Sequence, residues 1–211
     1  LHSITEAGKD WKIEHKQWLK HVKDMKKKYK FNFNRESDTI QPQAVLEAVN
    51  NITEGEAIIV TGVGQHQMFS AQYFDFKTPR TWITSGSMGT MGFGLPAAIG
   101  AKAANPDKLV IDVDGDGSIR MNIGELETCT NYNIPVKVLL LNNHGDGMVV
   151  QWQTLYYGAR YSGTDKTMHT KDFVKAAEAD GFKFARRVTK YEELEPALKA
   201  FIAFEGPAFL E

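Results

Sequence analysis

Two short runs in this 211-residue chain place oxygen donors where they can act on one metal ion: GDGS at residues 115–118 and NN at residues 142–143. Asp116 offers a carboxylate and Asn143 an amide oxygen. A hard cation such as Mg²⁺ accepts one or two protein oxygens and completes its octahedron with phosphate oxygens and water. Gly117 and Ser118 stand where a helix would open, so free backbone N–H groups and the helix dipole favour an anion, and glycine lets a phosphate approach the backbone closely. The chemistry predicted is a metal-diphosphate cradle.

The flanking residues supply elements that bring the two runs together. Residues 109–113 (LVIDV) and 136–141 (VKVLLL) read as buried parallel strands, and residues 119–131 between them carry helical apolar spacing at Met121, Leu126 and Cys129. A right-handed strand-helix-strand crossover sets the carboxyl ends of the two strands roughly 5 Å apart if they are neighbours. Asp116 and Asn143 then face one spot.

Other readings of the same residues fare worse. DVDGDG at 112–117 imitates the opening of an EF-hand, but the twelfth position is Ile123 rather than a bidentate glutamate, and a strand precedes it. Taken singly, Gly-Asp-Gly is a tight turn and Asn-Asn a strand cap; the pair at this spacing is far more specific. The glycine-dense run at residues 85–94 is not a P-loop, since no Gly-Lys-Ser/Thr follows.

The rest of the chain from about residue 36 alternates in the manner of a doubly wound, mainly parallel α/β sheet with helices on both faces. Helices are expected at 43–52, 65–73, 92–104, 147–156, 171–180 and 191–204. Strands are expected at 57–61, 81–84, 184–188 and 208–210. Ligands of such sheets sit beyond the carboxyl ends of the strands, and residues 62–67, 85–90, 115–118 and 142–148 collect there. Gln65 and His66 follow a strand and a glycine turn. On residue type alone His66 is as readily a structural histidine, and Met91 a core methionine.

These runs, in order, resemble a known family. GDGS followed by NN looks like the thiamine diphosphate motif. VTGVGQHQM at 60–68, GTMGFGLPA at 89–97 and GMVVQWQ at 147–153 resemble the catalytic subunit of acetohydroxyacid synthase (acetolactate synthase) over about residues 36–211. The resemblance implies a thiamine diphosphate-binding C-terminal domain. It implies cofactor contacts from Val63, Gln65, His66, Gly89, Met91, Gly115, Asp116, Gly117, Ser118, Asn143, Gly145, Gly147 and Met148. Mg²⁺ would be held by Asp116, Asn143 and the Gly145 carbonyl, and Met91 would wedge the cofactor into its bent form. Met148, Val149 and Trp152 would line a substrate channel; four apart on a helix, Met148 and Trp152 share a face, which is also the pattern of a core stripe.

The implied reaction decarboxylates pyruvate and condenses the hydroxyethyl unit with pyruvate or 2-oxobutanoate, in branched-chain amino acid biosynthesis. FAD would sit mainly on another domain, as would the glutamate that activates the cofactor, so no catalytic residue is assigned here and the chain alone is expected to be inactive. A homodimer or larger assembly and a regulatory small subunit are implied as partners. The compartment would be the cytoplasm in a bacterium and an organelle in a eukaryote, with any transit segment preceding Leu1. Where the family usually carries acidic or amide side chains, this sequence has His144, Gly145 and Asp146. Sister thiamine enzymes (pyruvate oxidase, glyoxylate carboligase, 2-oxo acid decarboxylase) share the GDGS-to-NN unit but are less expected to keep the Trp152 neighbourhood. A non-catalytic α/β binding or assembly module is the other alternative.

Composition agrees with one sizeable core: 42% apolar residues and a net charge of -1, which gives no bulk attraction for nucleic acid. A single cysteine, Cys129, rules out an intrachain disulfide and reads as an inert core thiol. No apolar run is long enough to cross a bilayer, and no signal peptide is evident. Residues 1–35 form a separate N-terminal part in which residues 9–30 carry nine lysines against Asp10, Glu14 and Asp24, a local balance of +6. Trp11, Trp18, Val22, Met25 and Tyr29 are spaced for one helical face. This is a basic amphipathic helix, read as a solvated connection from a preceding domain rather than a membrane or acidic-partner surface. Glu125 reads as a surface or helix-capping charge, not a general acid.

Overall fold

In the computed structural model the chain is described at residues 6, 8 and 15–211. It divides into two compact units, one ending at Phe33 and one spanning Asn34–Glu211. In the first, α1 (Lys16–Lys28) has no buried residue, and Lys26, Lys27 and Lys28 sit in its last turn, where cations favour the helix dipole. Trp11 and residues 9–14 of the expected helix lie outside the described residues.

The second unit runs α2 (Pro42–Thr53), β1 (Ile58–Thr61), α3 (Gln65–Tyr73), β2 (Trp82–Thr84), α4 (Gly94–Ala104), β3 (Val110–Gly115), α5 (Asp116–Ile119), α6 (Glu125–Asn131), β4 (Lys137–Leu141), α7 (Gly147–Tyr156), α8 (Phe173–Ala179), β5 (Phe184–Arg186), α9 (Tyr191–Ala203) and β6 (Ala208–Leu210). The strands form one sheet ordered β2-β1-β3-β4-β6-β5, and each neighbouring pair is parallel. β3 and β4 are direct neighbours, with Gly115 opposite Leu141, so the loops after them start side by side. Strand alternation sends Ile59, Ile111, Val113 and Leu139 into one core with Leu46, Val49, Leu198 and Phe201. Ile58, Val60, Val110, Val138 and Leu140 enter another with Leu95, Ala98, Leu126 and Cys129. Both faces of the sheet are covered, as an all-parallel sheet requires.

One expected element divides. In place of a single helix over 119–131, the chain makes the short α5, a turn, and then α6. Met121 is 59% exposed, so it does not belong to the apolar stripe that Leu126 and Cys129 form. The turn is held where Asn122 Nδ2 donates to the Gly92 carbonyl at 2.8 Å, and a side chain at Gly92 would collide with Met121 and Asn122. Cys129 is wholly buried, and burial pushes its thiol up to about 12. Among the described residues no helix is long and apolar enough to cross a membrane.

Candidate functional site

Above the carboxyl ends of β1, β3 and β4 lies a cleft of about 960 Å³. The residues singled out for cofactor contact, Val63, Gln65, His66, Gly89, Met91, Gly115, Asp116, Gly117, Ser118, Asn143, Gly145, Gly147 and Met148, all line it. They come from four loops that are remote in sequence and converge because the strands that feed them are adjacent.

Asp116 opens α5 directly from β3. It is 1% exposed, its Oδ2 is buried with no hydrogen-bond partner, and the backbone N–H of Asn143 donates to its carboxylate. Burial raises its pKa, opposed by the nearby charge of Arg120, by that bond from Asn143, and by His144 and Lys166. In the neighbouring loop after β4, Asn143 Oδ1 accepts the Gly145 N–H at 3.1 Å and Asn142 Oδ1 accepts the His144 N–H at 3.0 Å. These bonds fold the loop after β4 into a tight crook, with His144 at a positive φ of 55°. A buried oxygen with no partner, beside an amide oxygen that has a single N–H, is a donor pair that fits a divalent cation. No cluster of three or more His, Cys, Asp or Glu side chains converges among the described residues. A cation here would therefore draw its other ligands from main-chain carbonyls, phosphate or water.

The floor of the cleft needs glycine. A Cβ on Gly117 would strike Asp146 Oδ1 and come within 3.4 Å of Met91 Cε, and one on Gly147 would strike Gln65 and Asn143. Gly89 has φ of +63°, which lets the preceding loop turn in toward Val63. Ser118 acts as a knot rather than an open donor. Its Oγ accepts the Val63 N–H and the Gly92 N–H, both at 3.1 Å, fastening three loops together. Its side chain is 1% exposed, with a further bond to Asp114.

His66 is 7% exposed and packs against Gly64 and Gly115, so its ring supports the floor. Its Nε2 lies 3.4 Å from Asp114 Oδ1. Burial pulls the imidazole down to about 4 and pushes Asp114 up to about 7, so near neutral pH the imidazole is uncharged and the contact is not an ion pair. Asp112 is completely buried, with both carboxylate oxygens lacking partners. Burial and the neighbouring Asp114 hold its pKa well above the carboxylate range. Both acids point from β3 toward the start of α4, where a Cβ on Gly94 would be within 2.5 Å of Asp112 Oδ1 and 2.6 Å of the Gly62 nitrogen.

Met148, Val149 and Trp152 come together on α7, where they line a second hollow with Gln153, Tyr157, Arg160 and Ser162. No residue of α7 is buried, so this stripe is not a core stripe within the chain; Trp152 is 57% exposed. Glu125 begins α6 on the surface and accepts from Thr128 Oγ1 at 2.8 Å.

The sequence did not single out Asp146 as a cleft residue or Lys166 as its partner. Asp146 Oδ1 is buried without a partner, and its Oδ2 pairs with Lys166 Nζ at 2.5 Å. The Asp146 carboxyl beside Gly145 was a legible signal; the lysine twenty residues on was not. Two further acids line the cleft, Asp172 and Glu211, and Arg187 pairs with both at 2.9 Å.

Residues 62–211 match a family described as thiamine pyrophosphate enzyme, C-terminal TPP binding domain. The chain is 47% identical over 203 residues to the mitochondrial acetolactate synthase catalytic subunit of Saccharomyces cerevisiae, covering 94% of this chain and 29% of that protein. It is 44% identical over 219 residues to the chloroplastic acetolactate synthase 2 of Nicotiana tabacum (100% and 33%). It is 46% identical over 196 residues to the acetolactate synthase large subunit of Haemophilus influenzae (93% and 34%). The chain spans about a third of the length of these curated relatives.

Proposed function

The chain belongs to the C-terminal TPP-binding domain family of thiamine pyrophosphate enzymes, and from that premise we propose that its cleft binds thiamine diphosphate through a divalent cation, with Mg²⁺ as the natural ion. The observation that carries this reading is the buried, unpartnered Oδ2 of Asp116 facing the crook of Asn143. Asp116 Oδ2, Asn143 Oδ1 and the Gly145 carbonyl are the protein oxygens offered to the cation. The glycine floor at Gly115 and Gly117 admits the diphosphate next to backbone N–H groups. Gln65 is held for this contact by its Nε2 bond to Gln151 Oε1 at 3.0 Å, and Met91 Cε stands over Gly117 as the apolar wall.

When bound, thiamine diphosphate supplies the electron sink for cleaving the bond between a 2-oxo acid's carbonyl and carboxyl carbons. The residues here bind, orient and exclude water around it. Each acid that lines the cleft is already committed: Asp116 to the cation, Asp146 to Lys166, Asp172 and Glu211 to Arg187. None is free to start a proton relay, so this chain by itself binds without turning substrate over.

The similarity to acetolactate synthases supports a larger reading. In it, the complete protein decarboxylates pyruvate and condenses the two-carbon unit with a second 2-oxo acid, pyruvate or 2-oxobutanoate. It works as a homo-oligomer with FAD on another domain, a regulatory small subunit as partner, and branched-chain amino acids as the end products. Met148, Val149 and Trp152, exposed on α7, suit the entry path of the second oxo acid. The bacterial cytoplasm or a eukaryotic organelle is the proposed compartment.

The test is calorimetric titration at fixed Mg²⁺ with thiamine diphosphate and, separately, thiamine. The expected result is binding of the diphosphate alone. Equal binding of unphosphorylated thiamine would mean that the cradle is not the anchor.

A further inference from the structure

The crook that carries Asn143 and Gly145 is fastened from behind by residues 162–170. Asp146 N–H donates to the Thr164 carbonyl at 3.0 Å and Lys166 N–H to the His144 carbonyl at 2.8 Å, and Gly145 and Asp165 make an antiparallel bridge. Thr164 Oγ1 donates to Gln153 Oε1 at 2.8 Å, and Gln153 Nε2 to the Ser162 carbonyl at 3.2 Å, which ties this strap to α7. One charged contact crosses it, from Lys166 Nζ to Asp146 Oδ2, with the two side chains only 13% and 21% exposed.

The second oxygen of that carboxylate gives the contact its meaning. Asp146 Oδ1 is buried without a partner and occupies the space that a Cβ on Gly117 would fill. It therefore stands at the floor on which the diphosphate is to rest. A bare carboxylate there repels a diphosphate across a short, poorly solvated distance. A paired one does not, because the ammonium cancels its charge and fixes where it points.

We propose that Lys166 is a positioning residue for the metal-diphosphate site: its ammonium neutralises Asp146 at the cradle floor and locks the strap that holds the Asn143–Gly145 crook in ligating shape. The inference rests on the diphosphate reading above. Its sign distinguishes it from packing. Removing the lysine leaves a free negative charge at the floor, and removing that charge as well relieves the harm. A lysine that served only as filler would leave a defect that a second substitution cannot repair.

The experiment uses the 211-residue chain as wild type, Lys166→Met, Lys166→Arg, and Asp146→Asn combined with Lys166→Met. Affinity for thiamine diphosphate at fixed Mg²⁺ is measured by calorimetry, and exchange of the Asp146 and Lys166 backbone N–H groups is measured without ligand. Lys166→Met weakens binding about tenfold or more, as loss of one member of a largely buried ion pair does, and the double variant recovers most but not all of that loss, because the charge at the floor is gone while the lock on the strap is still missing. Lys166→Arg keeps near-wild-type affinity, and in Lys166→Met the two strap amides exchange about tenfold faster than in wild type. A double variant no better than Lys166→Met overturns the proposal, and so do unchanged strap amides in Lys166→Met. If the wild type binds no diphosphate, the functional reading fails, and the exchange rates still judge the strap on their own.

Discussion

The two ends of the parallel sheet treat buried charge in opposite ways. At the amino-terminal end, Lys137 starts β4 at 4% exposure and donates to the Phe204 and Gly206 carbonyls at 2.5 and 2.8 Å. Lys102 likewise donates to the Pro106 and Lys108 carbonyls at 2.7 and 2.6 Å. Each buried ammonium is satisfied by two main-chain carbonyls of a neighbouring turn. At the carboxyl end, Asp112, Asp114, Asp116 and Asp146 all leave carboxylate oxygens without partners, and so does His66 Nε2. Buried polar groups are nearly always satisfied, and each exception calls for a reason. One end satisfies its buried ammonium groups within the chain; at the other, the orphan oxygens of Asp116 and Asp146 belong to residues that line the cleft, while those of Asp112 and Asp114 pack toward Gly94.

If that contrast holds, substitutions at the two ends should separate binding from stability. The largest effect is expected at Asp116→Asn, which keeps the shape of the side chain and removes its charge. Mg²⁺-dependent affinity for thiamine diphosphate should fall by about a hundredfold or more, as loss of a charge-assisted contact worth roughly 3 kcal/mol implies, while the thermal midpoint without ligand changes little or rises. Calorimetry and a melting curve check both. Gly94→Ala comes next. Its new Cβ would press on the Gly62 backbone nitrogen as well as on Asp112, and a loss of about 3 kcal/mol in urea unfolding is expected from such overpacking.

Lys137→Met should show the opposite behaviour to Asp116→Asn. It keeps the buried stem but strands two carbonyls, lowering stability by about 2 kcal/mol, with diphosphate affinity unchanged within about twofold once the chain is folded. A fall in affinity comparable to that of Asp116→Asn would erase the distinction between the two ends.

An effect confined to a pH window is expected at His66→Gln. The imidazole is held down to about 4 in the folded chain against 6.5 in its absence. The unfolded chain therefore binds the extra proton between those values, and the stability owed to a neutral His66 is lost as pH falls from about 6.5 toward about 4. Asp114, pushed up to about 7 from 3.8, has the opposite sign: the folded chain holds its proton, and that contribution is lost as pH rises toward about 7. The two slopes offset in the wild type. His66→Gln removes only the first, so between pH 7.5 and pH 4 its stability relative to wild type should improve by up to about 3 kcal/mol, read from unfolding curves at several pH values. No change in the difference would mean that the ring takes up its proton over the same pH range in the folded chain as in the unfolded one.

Much of this was legible from local pattern. Apolar runs located β1, β3 and β4, and the GDGS and NN runs marked the ends of two strands that prove to be neighbours. What escaped the sequence is what depends on contacts between distant residues. Nothing local shows that β6, the last strand, inserts between β4 and β5. The 119–131 stripe concealed a break because the bond that holds the turn comes from Gly92, thirty residues upstream of Asn122. Ser118 was read for the backbone N–H groups of the helix it opens, and only the convergence of Val63 and Gly92 on its side-chain oxygen shows it to be a tie as well. Lys166 had no signal at all, since its partner is twenty residues away across an irregular strap.

The most direct measurement is a paramagnetic titration of Mn²⁺, standing in for Mg²⁺, into the chain with and without thiamine diphosphate, repeated with Asp116→Asn and Lys137→Met. The unsatisfied end predicts one Mn²⁺ bound per chain only when the diphosphate is present, retained in Lys137→Met and lost in Asp116→Asn. Equal Mn²⁺ binding by the wild type and Asp116→Asn would contradict the assignment of that buried oxygen as the cation's ligand.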